Sequence, residues 1–244
     1  MERYIFRLSY NGKIFFGWQR QPNQLSVQEV IEDALFKLNH NKLIQVVGCG
    51  RTDTGVHAKD YVLHVDLNPN FYNTDLLFKL NRILPDSVSI ESITLAPADF
   101  HARFSAKSRT YRYFIHQQKD PFATDFSLYF PTRLNFEAMN EAATHLVGNK
   151  DFTSLSKLHT DVKTNICDVS VARWVQTDKN SAYFEITADR FLRNMVRATV
   201  GTLLEVGTGK IQPIDVISIL EEKDRQAAKM SAPGHALFLW EILY

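Results

Sequence analysis

The chain has two cysteines in 244 residues, Cys49 and Cys167. That number cannot supply a disulfide framework. Neither a C-x-x-C spacing nor a paired-histidine pattern suggests zinc, so reduced thiols and no metal are expected. No apolar run approaches the roughly 18 residues that a membrane span needs, and Met1-Glu2-Arg3-Tyr4 lacks an apolar signal core. The expectation is a cytoplasmic protein with no membrane association. Formal charge is also scarce in sum, 28 basic against 27 acidic side chains, so the total does not announce a polyanion-binding protein. What the chain does have is 45% apolar residues, enough for one large packed domain or two smaller ones.

The near-zero total hides local segregation. Between Phe100 and Lys119 stand Arg103, Lys107, Arg109, Arg112 and Lys119 with two histidines and no acid, interleaved with Phe104, Tyr111, Tyr113 and Phe114. Cations neutralise phosphates and aromatic faces stack on unpaired bases, so this mixture suits RNA. A strand with one solvated basic face explains the same composition.

Periodicity gives an element order. Tyr4, Phe6, Leu8 and Tyr10 share one face of a strand. Ser26 and Glu29 form a capping box before a helix with Val27, Val30, Ile31, Ala34, Leu35 and Leu38 along a stripe. Strands follow at Leu43 to Gly48 and Tyr61 to Leu67. A helix beginning at Thr74, with Leu76, Leu77, Leu80, Ile83 and Leu84 as its apolar stripe, precedes a strand from Val88 to Leu95. This β-α-β-β-α-β order is the split βαβ arrangement of ferredoxin-like and RNA-recognition folds. A similar order recurs: a strand at Tyr111 to His116, a helix capped by Asn135 and closed near Gly148, strands at Val169 to Val175 and Tyr183 to Thr187, a long helix from Phe191 to Val206, a shorter one after Pro213, and a strand from Leu237 to Leu243. The expectation is an α+β protein of two such domains, 1–105 and 106–244, with the basic aromatic segment at their junction.

Two clusters stand out for chemistry. Gly48 to His57 reads Gly-Cys-Gly-Arg-Thr-Asp-Thr-Gly-Val-His, a glycine-bracketed loop that presents Asp53 beside Arg51 and His57. Arg190, Arg193 and Arg197 recur at spacings of three and four, which would stack them along one side of the long helix as phosphate clamps, a carboxylate partner or a solvated face.

These residues resemble the TruA-type tRNA pseudouridine synthases along nearly the whole chain. The centre of the resemblance is G-R-T-D-x-G-V-H-A, here Gly50 to Ala58. Phe16-Gly17-Trp18-Gln19 with Gln28, Phe100 to Phe104, Arg109 to Tyr113, Asp151-Phe152 and Met195-Val196-Arg197 follow in the family's order. The resemblance implies two split-βαβ domains sharing an extended antiparallel sheet, with the active site in a cleft between them. It implies isomerisation of uridine to pseudouridine at positions 38, 39 and 40 of the tRNA anticodon arm, without cofactor or metal, by a homodimer.

By matching positions, the resemblance makes Asp53 the catalytic carboxylate, acting by covalent attack or by removing a sugar proton. Arg197 would pair with it, and Tyr111 would stack on the target base, its hydroxyl available to accept the C5 proton. Arg51 would fill the gap left by an extruded base. Arg103, Lys107, Arg109 and Arg112 would hold the phosphate backbone, with Arg193 a further substrate contact. His57 fits packing beneath the loop better than catalysis.

Two other readings compete. Asp53-Thr54-Gly55 is the tripeptide of aspartic proteases, but such a site needs a second carboxylate from another copy or a dimer mate; the sequence has one copy, and Arg51 beside Asp53 would oppose the shared proton. A tandem RNA-binding module without catalysis would use the same fold order and basic aromatics, with Asp53 only bracing its loop. The segment from Lys157 to Asn165 fits no recognised pattern, and a flap near the cleft is the expectation for it.

Overall fold

The structure, a computed structural model, describes residues 1–72, 75–157, 163–228 and 230–244. The chain divides into two units, one of Met1–Lys107 with Leu239–Tyr244, the other of Ser108–Phe238. No described helix is long and apolar enough to cross a membrane.

In the first unit, β1 (Glu2–Tyr10) buries Tyr4, Phe6, Leu8 and Tyr10, the alternation of a strand with core on one face. β3 (His57–Leu67) pairs antiparallel along one side of it, from Glu2↔Leu67 to Tyr10↔Ala58. On its other side runs β4 (Val88–Leu95), also antiparallel, from Tyr4↔Leu95 to Tyr10↔Val88. The last strand of the chain, β10 (Leu237–Leu243), enters this unit at Leu239 and lies next to β3, giving the order β4-β1-β3-β10.

The helices of this unit follow the sequence pattern closely. α1 (Val27–Leu38) starts where the Ser26 hydroxyl accepts from Glu29 N, and buries Val27, Ile31, Ala34 and Leu35. α2 (Leu76–Ile83) buries Leu76 and Leu80, with Leu84 continuing the same line. Ile83 falls off that line and is exposed. Thr74, the expected start, lies outside the described residues. Asn81 clips α2 to β4 by two 2.8 Å hydrogen bonds, one to each backbone polar group of Ile90.

One expected strand is mostly absent. Of Leu43 to Gly48 only β2 (Val47–Gly48) pairs, against His64 and Leu63. The cause lies in the preceding residue. Val46 N donates to the Glu32 carboxylate and Val46 O accepts from Gln28, so the polar face of α1 takes the backbone groups that a ladder would use.

The second unit has the strand order β5-β9-β8-β7, from β5 (Ser108–His116), β9 (Ser181–Ala188), β8 (Ile166–Gln176) and β7 (Gly148–Asp151). These pairs are antiparallel, but β6 (Leu128–Tyr129) joins β5 in parallel, so pairing is mixed. β7 escaped the sequence pattern because Gly-Asn-Lys-Asp has no apolar alternation. Its extended form is set by pairing with β8.

α3 (Phe136–Thr144), capped by the Asn135 side chain, α4 (Met195–Gly207) and α5 (Asp215–Glu221) complete the unit. α4 begins at Met195, not at Phe191 as periodicity suggested. Asn194 has φ 66°, a left-handed conformation through which a right-handed helix cannot run. The three arginines therefore do not stack on one helix side: Arg190 and Arg193 precede α4, and only Arg197 is on it.

Candidate active site

The loop from Gly48 to His57 sits on a floor of aromatic rings in the first unit. Trp18 and Tyr61 stack at 4.1 Å between centroids, with Tyr10 tilted 5.5 Å from Tyr61. The Tyr61 hydroxyl donates to Gly50 O, and the Tyr10 hydroxyl shares a 2.9 Å hydrogen bond with the buried Thr52 hydroxyl. Burial pushes the Tyr61 phenol well above its ordinary pKa, so it acts as a fixed donor.

A second wall approaches from the segment after β1. Trp18 N donates to Thr52 O and Gly55 N to Phe15 O, while Val56 N closes a turn on Asp53 O at 3.2 Å. Gly17 has φ +95°, and a Cβ placed there would lie 2.4 Å from Thr52 O. Gly55 has φ +77°. Backbone contact therefore holds the loop on both sides of Asp53, at Thr52 and at Gly55. Asp53 between them is half-buried, neither lost in the core nor swinging free.

His57 lies wholly buried beneath the loop, and its Nδ1 accepts from Gly12 N at 3.0 Å. Arg51 is exposed, and its Nε donates to Gln19 Oε1 at 3.2 Å. Gln19 belongs to the same Phe16 to Gln19 wall, so one short segment both braces the Asp53 backbone and holds the neighbouring arginine.

The basic segment is divided between the units. In the first, Arg103 is exposed with its guanidinium carbon 5.5 Å from the centre of the Phe104 ring, itself 74% exposed. Lys107 is exposed and its Nζ donates to Tyr244 O. In the second, Arg109 and Arg112 project from opposite faces of β5, which excludes a single solvated basic face. Arg109 donates to Asp189 O at 2.9 Å. Arg112 lies over the Tyr183 ring and grips Glu185 at 2.7 Å, with Arg173 on the other carboxylate oxygen.

Tyr111 shares its strand face with Arg109 and Tyr113, and meets Phe191 edge-on at 4.9 Å. Arg197 donates from Nε to Ala232 O at 2.7 Å, and Ala232 N returns a hydrogen bond to Arg197 O. Burial pushes the Tyr113 phenol up, and the positive charge of Arg197 pulls it part of the way back. Thus Tyr111, Tyr113 and Arg197 belong to one neighbourhood of the second unit. Arg193 is exposed, with its backbone O accepting from Lys157 N. Of the segment from Lys157 to Asn165, residues 158–162 lie outside the described ones.

Periodicity places Tyr10 and Tyr61 on strands but does not show their support of the loop with Thr52, nor the line of Gln19, Gln28 and Glu32 that leads away from Arg51. A signal was available for the last three. Glu32 stands one turn after Gln28 on a helix whose buried positions are otherwise apolar.

A family model described as tRNA pseudouridine synthase matches residues 142–244. Full-length similarity is stronger evidence. The chain is 49% identical to the tRNA pseudouridine synthase A of Porphyromonas gingivalis, covering 100% of this chain and 98% of that protein. With the protein of the same name from Parabacteroides distasonis it shares 50% identity over 100% and 96% of the two chains. The Bacillus subtilis counterpart is 42% identical over 97% of each.

Proposed function

Since the chain belongs to the tRNA pseudouridine synthase A family, we propose that it isomerises uridine to pseudouridine in the anticodon arm of tRNA, at the positions named above. The observation that carries this reading is identity near one half along the full length, together with a backbone-braced loop that presents Asp53 half-buried. The reaction is an intramolecular exchange. The N1–C1′ bond breaks, the uracil turns, C5 bonds to C1′, C5 loses its proton and N1 gains one. No external reactant enters the balance.

In this reading Asp53 is the reacting carboxylate, either as nucleophile or as base toward a sugar proton. Arg197 supplies the positive charge that keeps that carboxylate ionised. Tyr111 stacks on the uracil and offers its oxygen to the C5 proton. Arg51 occupies the space that the extruded base leaves in the stem. Arg103, Lys107, Arg109, Arg112 and Arg193 contact phosphates. We assign the Asp53 loop to the first unit and Tyr111 with Arg197 to the second, in a protein acting as a cytoplasmic homodimer without cofactor or metal.

Tritium release from tRNA labelled at uridine C5 tests the reading directly. Release by the wild type and none by Asp53→Asn, with RNA binding retained, is the expected result. Tight binding with no release from either protein would overturn it in favour of a non-catalytic RNA-binding module.

A further inference from the structure

Glu32 is an oddity on α1. It is 4% exposed, the sole acid among the buried positions of that helix. A carboxylate in such a place needs donors, and it has them: Arg20 Nη1 at 3.1 Å, Val46 N at 3.2 Å and Gln28 Nε2 at 3.0 Å. Arg20 and Val46 explain how the charge is tolerated. The bond from Gln28 has a consequence beyond tolerance.

A carboxylate only accepts, so the Gln28 amide must turn its NH2 toward Glu32. Its oxygen then faces the other way, where it accepts from Gln19 Nε2 at 2.7 Å and from Arg20 N at 3.1 Å. That forces the Gln19 oxygen outward, to Arg51 Nε at 3.2 Å. Every amide in the chain Glu32, Gln28, Gln19, Arg51 points the same way. Reversing either one would set donor against donor or acceptor against acceptor. The buried carboxylate at the far end imposes the direction, and Val46 O, which accepts from Gln28 Nε2 at 3.3 Å, and Arg20 N, which donates to Gln28 Oε1, reinforce it.

We propose that Glu32, acting through Gln28, makes Gln19 a positioning residue that holds the exposed Arg51 guanidinium in the orientation used when substrate is engaged. The functional half rests on the reading of Arg51 as the group that fills the space of an extruded base. The orienting half stands on the geometry alone.

The two halves are tested by separate measurements. In protein labelled with 15N-arginine, the Arg51 Nε–H signal, assigned by its loss in Arg51→Lys, should exchange with water several-fold faster in Gln19→Leu and in Glu32→Gln, in line with loss of one hydrogen bond of about 1 kcal/mol. Arg20 keeps Glu29 and Asp33 as acidic partners in Glu32→Gln, so the fold should survive. Adding Gln19→Glu to Glu32→Gln places an acceptor-only group beside Arg51, so protection should return without the carboxylate at position 32. Unchanged exchange in the single variants, or no recovery in the double, overturns the orienting role, and neither result depends on catalysis.

Tritium release is then compared on tRNA whose target uridine is paired and on the same arm with its pairing partner changed to leave that uridine mismatched. Both single variants should lower kcat on the paired target about five- to tenfold with little change in KM, and much less on the mismatched one. Equal slowing on both substrates would show general structural damage and overturn the positioning role. An inactive wild type would defeat the proposed function and the Arg51 half of this inference together, leaving the exchange result to stand.

Discussion

The Nδ1 of His57 accepts the backbone N–H of Gly12 at 3.0 Å, inside a site with no solvent exposure of the imidazole. That nitrogen therefore carries no proton, and the ring serves as a fixed acceptor joining β3 to the turn after β1. His57→Ala should lower stability by about 2 kcal/mol or more, since it opens a cavity and strands a buried donor. Chemical denaturation would show it, and an unchanged midpoint would remove the structural role.

Gly17 packs against the loop and Gly50 lies within it, and the two should respond oppositely to a methyl group. At Gly17 the φ of +95° and the contact with Thr52 O leave no room, so Gly17→Ala should cost about 1–3 kcal/mol and displace the Asp53 backbone. A Cβ at Gly50 would meet nothing within 4 Å. Gly50→Ala should shift the melting temperature little, and a large loss there would contradict the described path of the loop.

Glu185 ties Arg112 and Arg173 together on the outer face of β5, β9 and β8. Burial alone would raise its pKa, but the hydrogen bonds from Arg173 and Arg112 outweigh it and hold the carboxyl below its ordinary range. A lowered carboxyl pKa contributes stability above the unfolded value and loses it as pH falls. Arg112→Ala should therefore cost about 1–3 kcal/mol at neutral pH, with the deficit shrinking under acid, as paired melts at pH 7 and pH 4 would reveal.

His64 gives a second acid sensitivity. Burial, with Arg3 and His101 adding to it and Asp66 opposing, lowers its pKa to about 4, and its Nδ1 accepts from Ala102 N. The neutral ring is thus the folded form. Its contribution is complete above the ordinary histidine range and declines as pH falls toward about 4. His64→Gln should flatten the pH dependence of the melting temperature across that window, and an unaltered slope would count against it.

Arg103 and Lys107 are exposed in the first unit. If they hold phosphates, replacing either by alanine should lower the slope of log affinity for tRNA against log salt by about 1. A weaker complex with the same slope would place the lost contact elsewhere than on the backbone.

Much of this was legible in the sequence. Alternation marks β1, a capping box marks α1, and glycine spacing marks the loop that carries Asp53. What stayed hidden depends on partners distant along the chain. β7 is extended through pairing with β8, and Val46 leaves the ladder because Glu32 and Gln28 take its backbone groups. The start of α4 turned on one φ value at Asn194, which apolar spacing cannot reveal.

The strand from Leu239 completes the first unit across an interval of the whole second one. Ile242 N reaches Asp60, Lys107 N reaches Leu243 O, and the Tyr244 hydroxyl reaches Ala102 O. On the ribosome those contacts form only after residues 108–238 have been made, so β3, which leads directly out of the Asp53 loop, waits for its neighbour until residues 239–244 have followed them. Completion of the sheet behind the Asp53 loop is in this sense a late event, and a nascent chain stopped short of Leu239 holds that loop on an unfinished sheet.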